Sequence, residues 1–141
     1  MLKMLVPVDG SENSVRSIDY LIQWMARLSE PVNIQLINVQ HALHGEVGMF
    51  LSSEQIRSYH HDEGVKALAA ARQKLDAANL DYTVHIGIGD PAEVVIQYAR
   101  EKNCDQIVMG TRGLGKIASL LLGSVASKII QLSDVPVLLT K

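Results

Sequence analysis

The chain has 141 residues and a formal net charge of -2, with 48% hydrophobic and 20% charged residues. This is the make-up of an ordinary globular protein; it excludes wholesale disorder, and the near-even charge gives no reason to expect a nucleic-acid partner. Cys104 is the only cysteine, so an internal disulfide framework is impossible. A reducing, cytoplasmic location is the simpler expectation.

At this length one domain over residues 1–141 is expected. Residues 1–4 lead straight into a strand pattern and not into a signal peptide, and apolar runs such as 120–122 fall far short of the roughly 20 residues a membrane span needs. The first strand spans Leu2 to Val8. Asp9-Gly10-Ser11 then gives a turn and a helix N-cap, and Val15, Ile18, Ile22, Met25 and Leu28 form one apolar helix face ended by Pro31. Val32 to Val39 forms the second strand. Residues 40–52 have no clear period and are expected to be a loop. Ser52 and Gln55 predict a capping box for a long helix carrying Leu68, Ala71, Leu75 and Ala78, in which Gly64 marks a kink or a break.

Tyr82 to Ile88 is the third strand. Asp90, Pro91 and Glu93 start a helix that runs to about Glu101, and Gln106 to Met109 is the fourth strand. A glycine-rich stretch follows, then a helix with Val125, Ile129 and Leu132, then a strand over Val135 to Thr140. Pro136 places that last strand at a sheet edge, because proline donates no ladder hydrogen bond. Alternating strands and helices, with strands apolar on both sides, predict a doubly wound parallel sheet of five strands with helices on both faces.

Such sheets bind ligands beyond the carboxyl ends of their strands, where the strand order reverses. The segments to weigh are therefore Asp9 to Ser11, Gln40-His41, Gly87 to Asp90 and Gly110 to Ser124. Glycines in the last bring backbone N–H groups close to a phosphate, and Gly123-Ser124 opens a helix whose free N–H groups favour an anion. The same glycines would equally serve a tight turn. Gly110-x4-Gly115-Lys116 fails as a P-loop, since Ile117 stands where a magnesium-holding hydroxyl is required. Gly87-x-Gly89-x-x-Ala92 is better explained as the turn into the helix that Asp90 and Pro91 begin. His41, His44 and the His60-His61 pair are expected to be loop residues and solvated or partly packed helix residues. Cys104 is expected to be a small buried residue, and Trp24 a core or an interface residue.

The spacing Gly110-x2-Gly113-x9-Gly123-Ser124 resembles the G-2X-G-9X-G-(S/T) pattern of the ATP-binding universal stress proteins. Val6 to Ser11, Ile107 to Gly110, Gly123 to Val125 and Val135 to Leu138 are similar to that family's landmarks in the same order. The resemblance implies a Rossmann-like fold of the adenine nucleotide alpha hydrolase type. It implies ATP, ADP or AMP as ligand, with Mg²⁺ where phosphates are held. Pro7, Val8 and Asp9 would face the nucleoside, with the Asp9 carboxylate near the ribose, and Val39 would border adenine. Met109 and Gly110 would also touch the nucleoside. Gly113 would admit the phosphates and Arg112 would pair with one, while Gly123, Ser124 and Val125 would hold them. Ala126 stands where relatives often carry a hydroxyl, and Ser127 is close by. The resemblance further implies a regulatory role in stress response, at most slow ATP hydrolysis or self-phosphorylation, and a homodimer through residues 135–140.

Overall fold

The computed structural model describes residues 1–43, 49–111 and 122–141. Nine elements alternate along them: β1 (Leu2–Pro7), α1 (Glu12–Met25), β2 (Val32–Gln40), α2 (Ser53–Ala77), β3 (Tyr82–Ile88), α3 (Pro91–Glu101), β4 (Gln106–Gly110), α4 (Ser124–Leu132) and β5 (Val137–Thr140). Every strand pair is parallel, and the sheet order is β3-β2-β1-β4-β5. The doubly wound five-stranded sheet expected from the sequence is therefore the fold. Its order reverses between β1 and β4, the central pair.

Side chains of successive strand residues point to opposite faces, so one strand feeds two cores. Met4, Val6 and Val8 pack with Leu36 and Val108 beneath α1 and α2, through Ile18, Leu21, Leu68 and Leu75. Leu5, Ile37, Ile107 and Met109 pack on the other face against Val95, Ile96 and Ala99 of α3 and Ala126 and Ile129 of α4. Each fully buried Leu, Ile or Met in these layers stabilises the fold by about 1.5–3 kcal/mol.

The helix starts follow the capping chemistry. The Ser11 hydroxyl accepts from the Ser14 N–H at 3.2 Å, and Ser52 with Gln55 forms a reciprocal capping box. Asp90 caps α3 through the Glu93 N–H at 3.1 Å, with Pro91 in the first turn.

Four local expectations differ from the structure. α1 stops at Met25, and Leu28, anticipated as helical, instead closes a tighter turn by donating to the Met25 carbonyl at 3.1 Å. Gly64 does not break α2, which continues from Ser53 to Ala77; a Cβ there would sit 2.7 Å from Ile86 Cδ1, so glycine lets helix and sheet approach closely. His60 is fully buried on α2, its Nδ1 without a hydrogen-bond partner among the described residues, whereas His61 is exposed. β5 begins at Val137 and not at Val135, since Pro136 has no N–H to donate; its carbonyl still accepts from the Ile107 N–H at 3.0 Å. β5 does lie at the sheet edge. Trp24 packs against the α1–α2 core, and Cys104 is buried.

Candidate functional site

At the β1/β4 reversal the carboxyl ends of β1, β2 and β4 open into a cleft of about 710 Å³. Of the residues singled out from the sequence, Pro7, Val8, Asp9, Val39, Met109, Gly110, Gly123, Ser124 and Val125 all line it. Arg112 and Gly113, and with them most of the glycine-rich segment, lie outside the described residues, as does His44. A second cavity of about 180 Å³ sits at the opposite end of the strands, between α3 and the turn before β5. It is small and it holds Cys104, whose thiol burial pushes toward the neutral form.

The floor of the cleft is fixed by hydrogen bonds of the strand ends. Asp9 folds back so that its Oδ1 accepts from the Ser11 N–H at 2.9 Å, which sets the turn into α1. The following Gly10 has φ +86°, and a Cβ there would lie 3.3 Å from Ala67 Cα. That close approach brings α2 over the end of β1, and it places Glu63, Lys66 and Ala67 in the cleft wall. Asn38, on β2, donates to the Val8 carbonyl at 2.8 Å and accepts from Gln40 Nε2 at 2.6 Å. The Gln40 carbonyl in turn accepts from the Gly89 N–H at 2.9 Å.

One end of the cleft is built for an anion. The Gly123 N–H donates to the Thr111 carbonyl at 2.7 Å, which draws together the two ends of the segment joining β4 to α4. No side chain caps α4, and its first internal bond is Ser127 N–H to the Gly123 carbonyl at 3.0 Å. The N–H groups of Ser124, Val125 and Ala126 therefore have no partner within the helix, and the positive end of the helix dipole lies behind them. α1, α2 and α3 each carry a side-chain cap.

The rest of the cleft lining is in part apolar, through Ile37 and Val39 of β2, Met109 of β4, Val95 of α3 and the side chains of Val125 and Ala126 of α4. Its rim carries His41 and Asp90. The Asp90 carboxyl is held below its usual range by the Glu93 backbone N–H and by Lys128, which lies 3.1 Å from Asp90 Oδ2 and 3.4 Å from Glu93 Oε1. Asp90 thus caps α3, as expected, and also faces the cleft. The wall residues Glu63 and Lys66 were missed in the sequence, because a tertiary contact of α2 places them there. Asn38 had a signal, being one of two amides, with Gln40, that flank Val39 at the end of β2. Among the described residues no three His, Cys, Asp or Glu side chains gather to hold a metal ion.

A family model described as "Universal stress protein family" matches residues 1–141. The chain is 30% identical to universal stress protein YxiE of Bacillus subtilis over 99% of this chain and 98% of that one. Among solved structures, MJ0577 of Methanocaldococcus jannaschii superposes with a TM-score of 0.82 at 24% identity, covering 99% of this chain and 94% of its own. A universal stress protein solved in complex with cAMP superposes with a TM-score of 0.72 at 25% identity, covering 99% and 97%.

Proposed function

The chain belongs to the universal stress protein family, and from that premise we propose that it binds an adenine nucleotide in the β1/β4 cleft and acts as a regulator in stress response. The observation that carries this reading is the make-up of the cleft lining, in which the first N–H groups of α4, without a partner inside the helix, accompany an apolar slot of β2, β4 and α3 side chains. A phosphate suits the first and a purine the second. The relative that holds cAMP has the same fold.

In this reading Val39 borders the adenine and Asp9 lies by the ribose. Pro7, Val8, Met109 and Gly110 contact the nucleoside, and Gly123, Ser124 and Val125 hold the phosphates with Gly113 and Arg112. The described carboxylates of the cleft are Asp9, Glu63 and Asp90, and the phosphates lie against the N–H groups that open α4. ATP is the proposed ligand, with ADP and AMP as shorter forms, and Mg²⁺ arrives as the companion of the triphosphate.

The test is to denature freshly purified protein, resolve the released small molecules by chromatography, and titrate the emptied protein calorimetrically with ATP, ADP, AMP and cAMP. Saturable binding that weakens in Asp9→Ala supports the proposal. An empty protein that gives no binding heat at millimolar nucleotide removes it.

A second property rests on β5. Among the described residues this strand pairs only with β4 and forms an edge of the sheet, the usual place for strand pairing between molecules. We propose a homodimer through residues 135–140, and a monomer by light scattering at micromolar concentration would contradict it.

A further inference from the structure

Pro91 and Val95 of α3 and Val125 and Ala126 of α4 supply part of the apolar lining of the cleft, and the same two helices are tied together by a charged bridge. Lys128 reaches from the second turn of α4 to the first residues of α3, 3.1 Å from Asp90 Oδ2 and 3.4 Å from Glu93 Oε1. Asp90 is at once the N-cap of α3 and a rim residue of the cleft, so the bond fixes a wall residue and not merely two remote side chains. Lys128 itself does not line the cleft. We infer that Lys128 is a positioning residue: its bridge to Asp90 and Glu93 straps the α3 and α4 ends together and sets the width of the slot that holds the base.

This inference rests on the nucleotide site proposed above and adds a regulated property to it, retention of the base. The strap is half-exposed, so solvent and salt weaken it. A contact with phosphate would act differently: its effect would grow with the number of phosphates, and it would vanish for a nucleoside.

Adenosine carries no charge and separates the two. The experiment measures dissociation constants of adenosine and ATP for the wild type, Lys128→Met, Lys128→Arg and Asp90→Asn, by calorimetry at low and high salt. Expected is a loss of about two- to five-fold for both ligands alike in Lys128→Met and in Asp90→Asn, with Lys128→Arg close to the wild type. Combining Lys128→Met with Asp90→Asn should bind no more weakly than Lys128→Met alone, because that change already removes both arms of the bridge. High salt should weaken adenosine binding by the wild type and leave Lys128→Met unchanged. Asp90→Asn keeps a side chain able to cap α3, so it reports the strap even if Lys128→Met folds poorly. Equal affinities in all four proteins overturn the inference, as does a loss confined to ATP. A wild type that binds neither ligand instead overturns the nucleotide site itself, before any variant is compared.

Discussion

Asn38 donates to the backbone carbonyl of Val8 across the β2–β1 boundary at 2.8 Å, and this bond fixes the strand end that carries Asp9. Asn38 is 2% exposed, so the amide has no water to fall back on. Its own oxygen receives the Gln40 amide. A chain of side-chain amides therefore runs along the cleft floor and holds two strand ends in register where the sheet ladder stops.

Replacing Asn38 by Ala removes both bonds and leaves a buried carbonyl unsatisfied. The expected loss is about 1–3 kcal/mol of stability, read from urea unfolding. Nucleotide affinity should fall with it. A variant as stable as the wild type would show that water takes over both bonds.

Gly64→Ala tests close packing against helix propensity. Alanine favours a helix interior by about 1 kcal/mol over glycine, but its Cβ would lie 2.7–3.0 Å from three atoms of Ile86. Overpacking of this kind costs about 1–3 kcal/mol, so a net loss of about 1 kcal/mol is expected. Adding Ile86→Val should recover part of it in the same denaturation series.

The Asp90 carboxyl titrates below its ordinary value, chiefly because it accepts the Glu93 N–H and secondly because of Lys128. Its folded-state pKa is thus lower than its unfolded one. The stability it contributes is complete above the ordinary value of 3.8 and is lost as pH falls through the lower folded value. Melting curves of Asp90→Asn should accordingly converge on the wild type in acid and diverge from it at neutral pH.

His85 is half-buried, and burial pushes its pKa below 6.5, with the Lys102 charge acting in the same direction. Its ring meets Gln35 Oε1 at 2.6 Å and lies 5.3 Å from the Tyr98 ring centroid. The folded state favours the neutral imidazole, so stability should decline as pH drops below 6.5 toward the folded value. An NMR titration of the ring is expected to show a midpoint under 6.5; a midpoint above it would mean that Gln35 stabilises the charged form more than burial opposes it.

The architecture was legible because it rests on repetition. Strands apolar on both faces, capped helix starts and a proline in the last strand each have a local cause, and each led to the element found. The places that differ are decided by contacts between elements. Leu28 keeps the apolar spacing of α1 and packs on the core, yet it leaves the helix because a tighter turn reaches the sheet sooner. Gly64 looked like a break because its reason, Ile86, lies on a strand more than twenty residues away in sequence. His60 has the polarity of a surface residue and is buried, which no periodicity announces.

For the site, the resemblance to the family named eleven residues, and nine of them line one cleft, since each ends or follows a strand or opens α4. Arg112 and Gly113 are the other two, outside the described residues. Lys66 and Glu63 depend on how α2 crosses Gly10, and so carried no sequence signal. Asp90 was legible as a cap but not as a rim residue, because capping already accounted for its type and position.

The central place of β1 has a consequence for how the molecule is made. Its two neighbours in the sheet are β2, next in the chain, and β4, which starts at Gln106. A ribosome adding about 5–20 residues per second delivers β4 some 5–20 seconds after β1. Throughout that interval the middle strand has one flank open, and the cleft lacks Met109, Gly110 and the whole of α4. The nascent chain can shelter its first hydrophobic layer early, but it acquires a place for a ligand only once β4 and α4 have been made. Any ligand that aids folding therefore does so after more than a hundred residues have emerged.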